Sequence, residues 1–205
     1  MAPRSRDGHH AWSVDATGGE AWRDGRAWRI GGAGEVGWIT ARTASGTTIT
    51  SAVPDVFEAY ATVVVPDNER QKRDADQALL ALLREHSPDQ PWWLGYLETG
   101  ASDVVFPYAP RVLLYAGWSY VLVEAGPDEA AGWRTYDDAL PWHTELPELI
   151  FPQDHSWLVS TLWDDDWSCI GGPATLVSAI LDHQHLDARA VAPGEDATPL
   201  GHHAQ

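Results

Sequence analysis

Apolar residues recur at helical spacing in two stretches of this chain. Ala75, Ala78, Leu79, Leu82 and Leu83 share one face, with Arg73, Asp76, Gln77 and Arg84 opposite. Asp67 or Asn68 is placed to cap that helix after Pro66, and Pro88 ends it near His86. Leu176, Val177, Ile180 and Leu181 share the second face, in a helix opened by Pro173. A shorter helix is predicted from Pro127 to Trp133.

Most of the remaining pattern is short, β-branched and aromatic. Strands are predicted over Phe57–Val65, Trp92–Glu98, Val104–Phe106, Arg111–Tyr115 and Tyr120–Glu124. Gly37–Ala41 and Thr47–Thr50, around Ala44-Ser45-Gly46, read as a hairpin. The clearest hairpin pairs Ser156–Trp163 with Trp167–Ile170 across Asp164-Asp165-Asp166, and Gly171-Gly172 is expected to break it off. Residues 135–150 read as an irregular connection. Antiparallel runs with few, non-alternating helices predict an α+β fold, an antiparallel sheet with a few helices packed on one face. Residues 1–34 are expected to be an irregular arm or a pair of short strands, 35–191 a single α+β domain, and 192–205 a disordered tail.

Charge narrows the partners. The net charge is -17, but up to Glu35 five arginines balance five carboxylates, so the acidity lies beyond that point. From Glu85 to Ala188 only Arg111 and Arg134 oppose seventeen carboxylates. Such a surface repels phosphate backbones and anionic lipid, so no nucleic acid and no membrane are expected as partners. A basic protein partner is what it favours, and simple solubility is the plainer explanation. The charged N-terminus shows no secretory run, no apolar stretch is long enough to span a bilayer, and the lone Cys169 forms no internal disulfide. The expected address is the cytoplasm.

The motifs of common enzymes fail one by one. Gly32-Ala-Gly34-Glu-Val-Gly37 matches a dinucleotide pattern, yet the next residues, Trp38-Ile-Thr-Ala-Arg, read as strand rather than helix. His143-Thr-Glu145 lacks the cysteine pair a zinc deaminase needs, and His183-Gln-His185 offers too few ligands for a metal. Cys169, among apolar neighbours, reads as a small inert filler. No cofactor and no metal are therefore expected.

The acidic turn is the unusual feature. Asp164, Asp165 and Asp166 between Trp163 and Trp167 place an anionic tip between two indoles, and such a tip can hold Arg or Lys of a partner. Asp also favours turns, and the Trp pair also suits a cross-strand core contact. In Trp92-Trp93 one indole faces the core, which leaves Trp93 as a further exposed candidate. Partner-binding residues are thus Asp164, Asp165, Asp166, Trp163, Trp167 and Trp93.

Two stretches, Val53-Pro-Asp-Val-Phe57-Glu-Ala-Tyr60 and Phe151-Pro-Gln-Asp154-His-Ser-Trp157-Leu-Val-Ser-Thr161, resemble a group of uncharacterised actinobacterial proteins. That group carries V-P-x-x-F-x-A-Y early and W/F-P-x-D-x-x-W-x-V-x-T late, often with Arg where this chain has His155. The resemblance implies no activity. The late order of strand, acidic turn, strand, glycine and helix is also similar to SUKH-type domains, many of which are immunity proteins that sequester toxins. The expected function is a non-catalytic protein-binding module, immunity-like, for a basic partner. The alternatives are a metal-dependent hydrolase or lyase built on Asp154, His155 and Asp164–Asp166, or a small-ligand-binding protein with a Trp-lined pocket.

Overall fold

The computed structural model describes residues 18–98, 105–134, 146–162 and 165–202. Among the described residues, ten strands form one antiparallel sheet: β1 (Gly19–Arg23), β2 (Arg26–Ile30), β3 (Ala59–Val64), β4 (Trp92–Leu97), β5 (Val112–Leu114), β6 (Trp118–Ala125), β7 (Leu149–Pro152), β8 (Leu158–Ser160), β9 (Trp167–Gly172) and β10 (Ala188–Ala190). Their order is β1-β2-β6-β4-β7-β8-β9-β3-β10, with β5 pairing β6 beside that path. Four helices accompany them: α1 (Ala33–Thr40), α2 (Glu69–His86), α3 (Pro127–Gly132) and α4 (Ala174–Leu181). The class is α+β, as the pattern predicted.

The sheet is buried on both sides. Every residue of β4 is buried, Trp92, Leu94 and Tyr96 in one apolar cluster and Trp93 and Leu97 in the other. The first cluster takes Ala75, Leu79 and Leu83 of α2, Ala130 of α3, and Leu176 and Ile180 of α4, so three helices share that face. The second is covered by Val36 and Ile39 of α1, by Ile49, Ala52 and Val53, by β5, and by Val191 and Ala197. Mostly irregular chain thus roofs one face and helices the other.

Local chemistry explains the elements that were legible. Asn68 caps α2, its Oδ1 accepting from the N–H groups of Arg70 and Gln71 at 3.0 and 3.2 Å. Below the helix end, Trp157 donates its Nε1–H to Ser87 Oγ at 2.7 Å, which satisfies a fully buried indole. Gly171 and Gly172 do not interrupt the hairpin: they continue β9 opposite Ala59 and Tyr60 of β3. A Cβ on Gly171 would lie 2.4 Å from Phe57 and 2.6 Å from Val53, so only glycine lets that segment rest on the strand.

Packing also corrects two further expectations and decides a third. Residues 33–40 are helical, not strand, because Val36 and Ile39 bury against the sheet while Gly34 and Gly37 face open space. Residues 192–202 are not a free tail. Ala197 donates to Thr47 O and Ile49 to Glu195 O. Arg189 binds Glu195 at 2.7 Å, and its other guanidinium nitrogen donates to the carbonyls of Asp196 and Thr198. Of the two readings for the start of the chain, the described residues take the pair of strands: β1 and β2 form a hairpin that joins β6 through Ile30 and Val123. Among the described residues, no helix is long and apolar enough to cross a membrane.

Deleting residues 193–205 should therefore lower the melting temperature by more than about 4 °C, roughly 2 kcal/mol at this size. A calorimetric melt superimposable on that of the full chain contradicts the docked tail.

Candidate functional site

A cavity of about 370 Å³ opens on the face roofed by α1 and loops. Its walls come from four places: the loop between Thr43 and Ala52, the β5–β6 turn with Tyr115 and Trp118, the β8–β9 turn with Leu162 and Asp165, and Trp167 and Cys169 on β9. Ala197 and Thr198 form part of the rim. The docked C-terminal segment is thus a component of the site.

Hydrogen bonds hold this lining in place. Ser51 donates to the carbonyls of Gly46 and Thr48 at 2.7 and 2.5 Å, which closes the loop on itself. Thr43 Oγ1 donates to Ile39 O at 3.1 Å, tying the loop to the end of α1. Tyr115 sits at φ +52°, a left-handed backbone uncommon for such a side chain. Its hydroxyl bonds Ala52 O at 3.0 Å and Ser160 Oγ at 2.7 Å, contacts that hold the turn against the strain.

The phenol and the thiol in this wall are kept neutral. Burial pushes the Tyr115 phenol up, with the Ser160 hydrogen bond only partly opposing it. Burial likewise raises the Cys169 thiol, and nearby Asp165 adds to the shift. Among the described residues no His, Lys or Arg lines the cavity, and Asp165 is its one carboxylate.

The residues expected to hold a partner are distributed differently. Trp163 and Asp164 lie outside the described residues. Asp165 lines the cavity, and Asp166 is exposed and meets His202 Nδ1 at 2.8 Å. Trp167 is only 3% exposed, its Nε1–H without an oxygen or nitrogen partner among the described residues. Trp93 is equally buried, with the Arg29 guanidinium 4.8 Å from its ring. Neither indole reaches a partner, because both faces of the sheet are covered. The cation over Trp93 comes from the chain itself, anchored by Glu35 at 2.7 Å and Glu124 at 3.1 Å.

The carboxylates of the alternative, metal-hydrolase reading are also split. Asp154 and His155 occupy the turn before β8, Asp165 and Asp166 the turn after it, so the strand separates the two pairs. Asp154 accepts from Gln90 Nε2 at 2.8 Å and from the Ser156 N–H at 2.9 Å. Burial works against its charge, but these bonds and the neighbouring His155 outweigh it and lower its pKa. His155 stacks on Trp38 with ring centres 4.5 Å apart. Among the described residues, no group of three or more His, Cys, Asp or Glu gathers where it could hold a metal.

The glycine motif does gain its helix, since α1 comes directly after β2. Its amino end is already occupied: Glu35 accepts from the Gly32 N–H at 2.8 Å. A phosphate would meet that carboxylate, and β2 pairs its neighbours antiparallel, so no dinucleotide crevice forms. The sequence pattern missed the Thr43–Ser51 loop, Tyr115 and Trp118, whose only local signal was a run of small hydroxyl residues. No family model, no curated protein and no solved structure matches this chain.

Burial against Trp38 lowers the His155 pKa, and Asp154 opposes this only in part. The fold thus favours the neutral ring. Its contribution is complete above the ordinary histidine value of about 6.5 and is lost as pH falls towards the lower folded value. His155→Asn tolerates the left-handed backbone at this position, φ +57°, and carries no titrating ring. It should flatten the decline in melting temperature between about pH 7 and 5. An identical pH profile in wild type and variant contradicts this assignment.

Proposed function

We propose that this protein is a small-ligand-binding module and that the cavity between the Thr43–Ala52 loop, the β5–β6 turn and β9 is its site. The carrying observation is the cavity itself. At about 370 Å³ it lies at the small end of the roughly 300–1,000 Å³ typical of ligand sites, and it combines aromatic walls with hydroxyl groups. A volume of that size fits a metabolite rather than a peptide.

Two further features support binding over turnover. The thiol of Cys169 and the phenol of Tyr115 are held protonated by burial, and no imidazole of the described lining stands beside either. Among the described residues, Asp154 and His155 sit before β8 and Asp165 and Asp166 after it. An immunity-like grip on a basic protein retains the acidic surface as its support, but Trp93 and Trp167 lie inside the fold and contribute no anchor to it.

The indole N–H resonances of Trp118 and Trp167, assigned through Trp118→Phe and Trp167→Phe, should move together when a small molecule from a metabolite library binds. Trp22, exposed and outside the lining, should stay still. At a hundredfold excess over Kd the ligand should also stabilise the fold by about 2.7 kcal/mol, raising the melting temperature by roughly 5–11 °C. Library compounds that raise the melting temperature without moving either resonance would place the site elsewhere and refute this reading.

A further inference from the structure

The C-terminal segment does more than dock beside the cavity. We infer that residues 199–202 are a strap across its rim, latched by His202 on Asp166, and that release of the latch controls access to the interior. As a device for admitting a ligand, the strap rests on the small-ligand reading above.

Thr198 and Trp167 both line the cavity. They come from different parts of the fold, and residues 199–202 are the stretch of chain that bridges them. His202 Nδ1 lies 2.8 Å from Asp166 Oδ2. A carboxylate accepts, so the ring nitrogen donates. The same imidazole meets the Trp167 indole edge-on, with ring centres 6.2 Å apart. The receiving side is fixed: Asp166 O accepts the Val65 N–H at 2.8 Å, which pins the β8–β9 turn to the chain just after β3.

The two ends of the segment are held unequally. Up to Thr198 it is anchored repeatedly. Arg189 of β10 binds Glu195 at 2.7 Å and donates to the carbonyls of Asp196 and Thr198, while Ala197 donates to Thr47 O and Ile49 to Glu195 O. Past Thr198 the hold comes from a side-chain contact to a carboxylate that is 56% exposed, a kind of pair worth little on its own. Apolar burial adds little there. Pro199 is buried, but Leu200, the largest apolar side chain of the strap, is 94% exposed.

The strap is also shaped to move as one piece. Gly201 takes φ +87°, which glycine adopts without strain, and His202 N–H returns to Pro199 O at 3.2 Å to close a tight turn. Segments with few buried contacts open locally at far lower free energy than the whole fold. This one therefore opens from its His202 end, widening the rim between Thr198 and Trp167, while Arg189 keeps the other end in place for reclosing.

Cys169 supplies the measurement. It is the chain's only cysteine, it lines the cavity, and it is 2% exposed, so its labelling by methyl methanethiosulfonate, followed by mass, reports passage through the rim. Where reclosing is faster than labelling, the rate tracks the open population. His202→Ala and Asp166→Asn remove the latch from opposite ends. Each should speed labelling by roughly two- to fivefold at fixed pH, and the double variant should be no faster than the faster single. The gain should persist unchanged in urea up to about 1 M, because local opening exposes little surface. An unchanged rate in either variant, a double variant that multiplies the two effects, or a gain that climbs with urea in step with global unfolding overturns the strap and leaves the ligand reading untouched. Faster labelling in both single variants, while no compound of the metabolite library moves the Trp118 or Trp167 resonance, supports the strap and refutes the ligand reading alone.

Discussion

A sheet covered on both faces is the constraint on which this structure depends. The six residues of β4 are all buried, so successive side chains enter two separate cores instead of alternating between core and water. Both faces then need cover. Three helices supply it on one side, where regular ridges pack closely. On the other side the cover is the eight-residue α1, the Thr43–Val53 loop, β5 and the C-terminal segment. Pieces so short and irregular do not tile a flat surface. The cavity lies where several of them meet, and the Thr and Ser residues of the Thr43–Ala52 loop line it.

The charge pattern has its origin in the same architecture. The arginine-bearing hairpin β1–β2 attaches to the sheet beside β6 and pairs across to acidic residues there: Arg29 with Glu124, and Arg26 with Glu129 of α3. Arg26 and Arg29 of that hairpin are thus paired with carboxylates of the acidic stretch. Arg111, wholly buried, donates to Pro107 O at 2.9 Å and Glu98 at 2.8 Å and so organises the loop ahead of β5. Arg134 grips Glu148 through two bonds of 2.6 and 3.0 Å beside the Tyr96 ring. Buried pairs like these cost desolvation, and they hold only because further bonds complete them. Both arginines are committed inside, so the outside keeps the acidic field.

Sequence was informative where one local rule decided the outcome. Helical spacing and an Asn cap marked α2, and the run before and after the aspartates marked β8 and β9. It misled where packing overrode propensity. Gly34, Gly37 and the β-branched neighbours of Trp38 argue against a helix, yet burying Val36 and Ile39 outweighs those losses. Trp93 looked exposable under a rule that assumes one wet face. The C-terminal segment has little to bury, and what fixes it is backbone pairing plus a single arginine fork, neither of which leaves a hydrophobic pattern. Apart from a run of small hydroxyl residues, the cavity left no local signature, because its walls span residues 43 to 198.

The Val53–Tyr60 and Phe151–Thr161 stretches are scaffold in this chain. Tyr60 accepts the Phe57 N–H at 3.0 Å and donates to Pro54 O at 3.2 Å, which folds the first stretch into a closed turn over Gly171. In the second, Asp154 caps its turn and Trp157 reaches Ser87, while Phe151 packs edge-on against Trp38. None of these side chains lines the cavity. Tyr60 pins its loop to β3, and Ala52, just ahead of Val53 at the start of that loop, accepts the Tyr115 hydroxyl. The scaffold therefore meets the site at the backbone of residue 52. Side chains facing the cavity can change without disturbing the closed turn, whereas loss of the Tyr60 bonds or of Gly171 would move the wall itself.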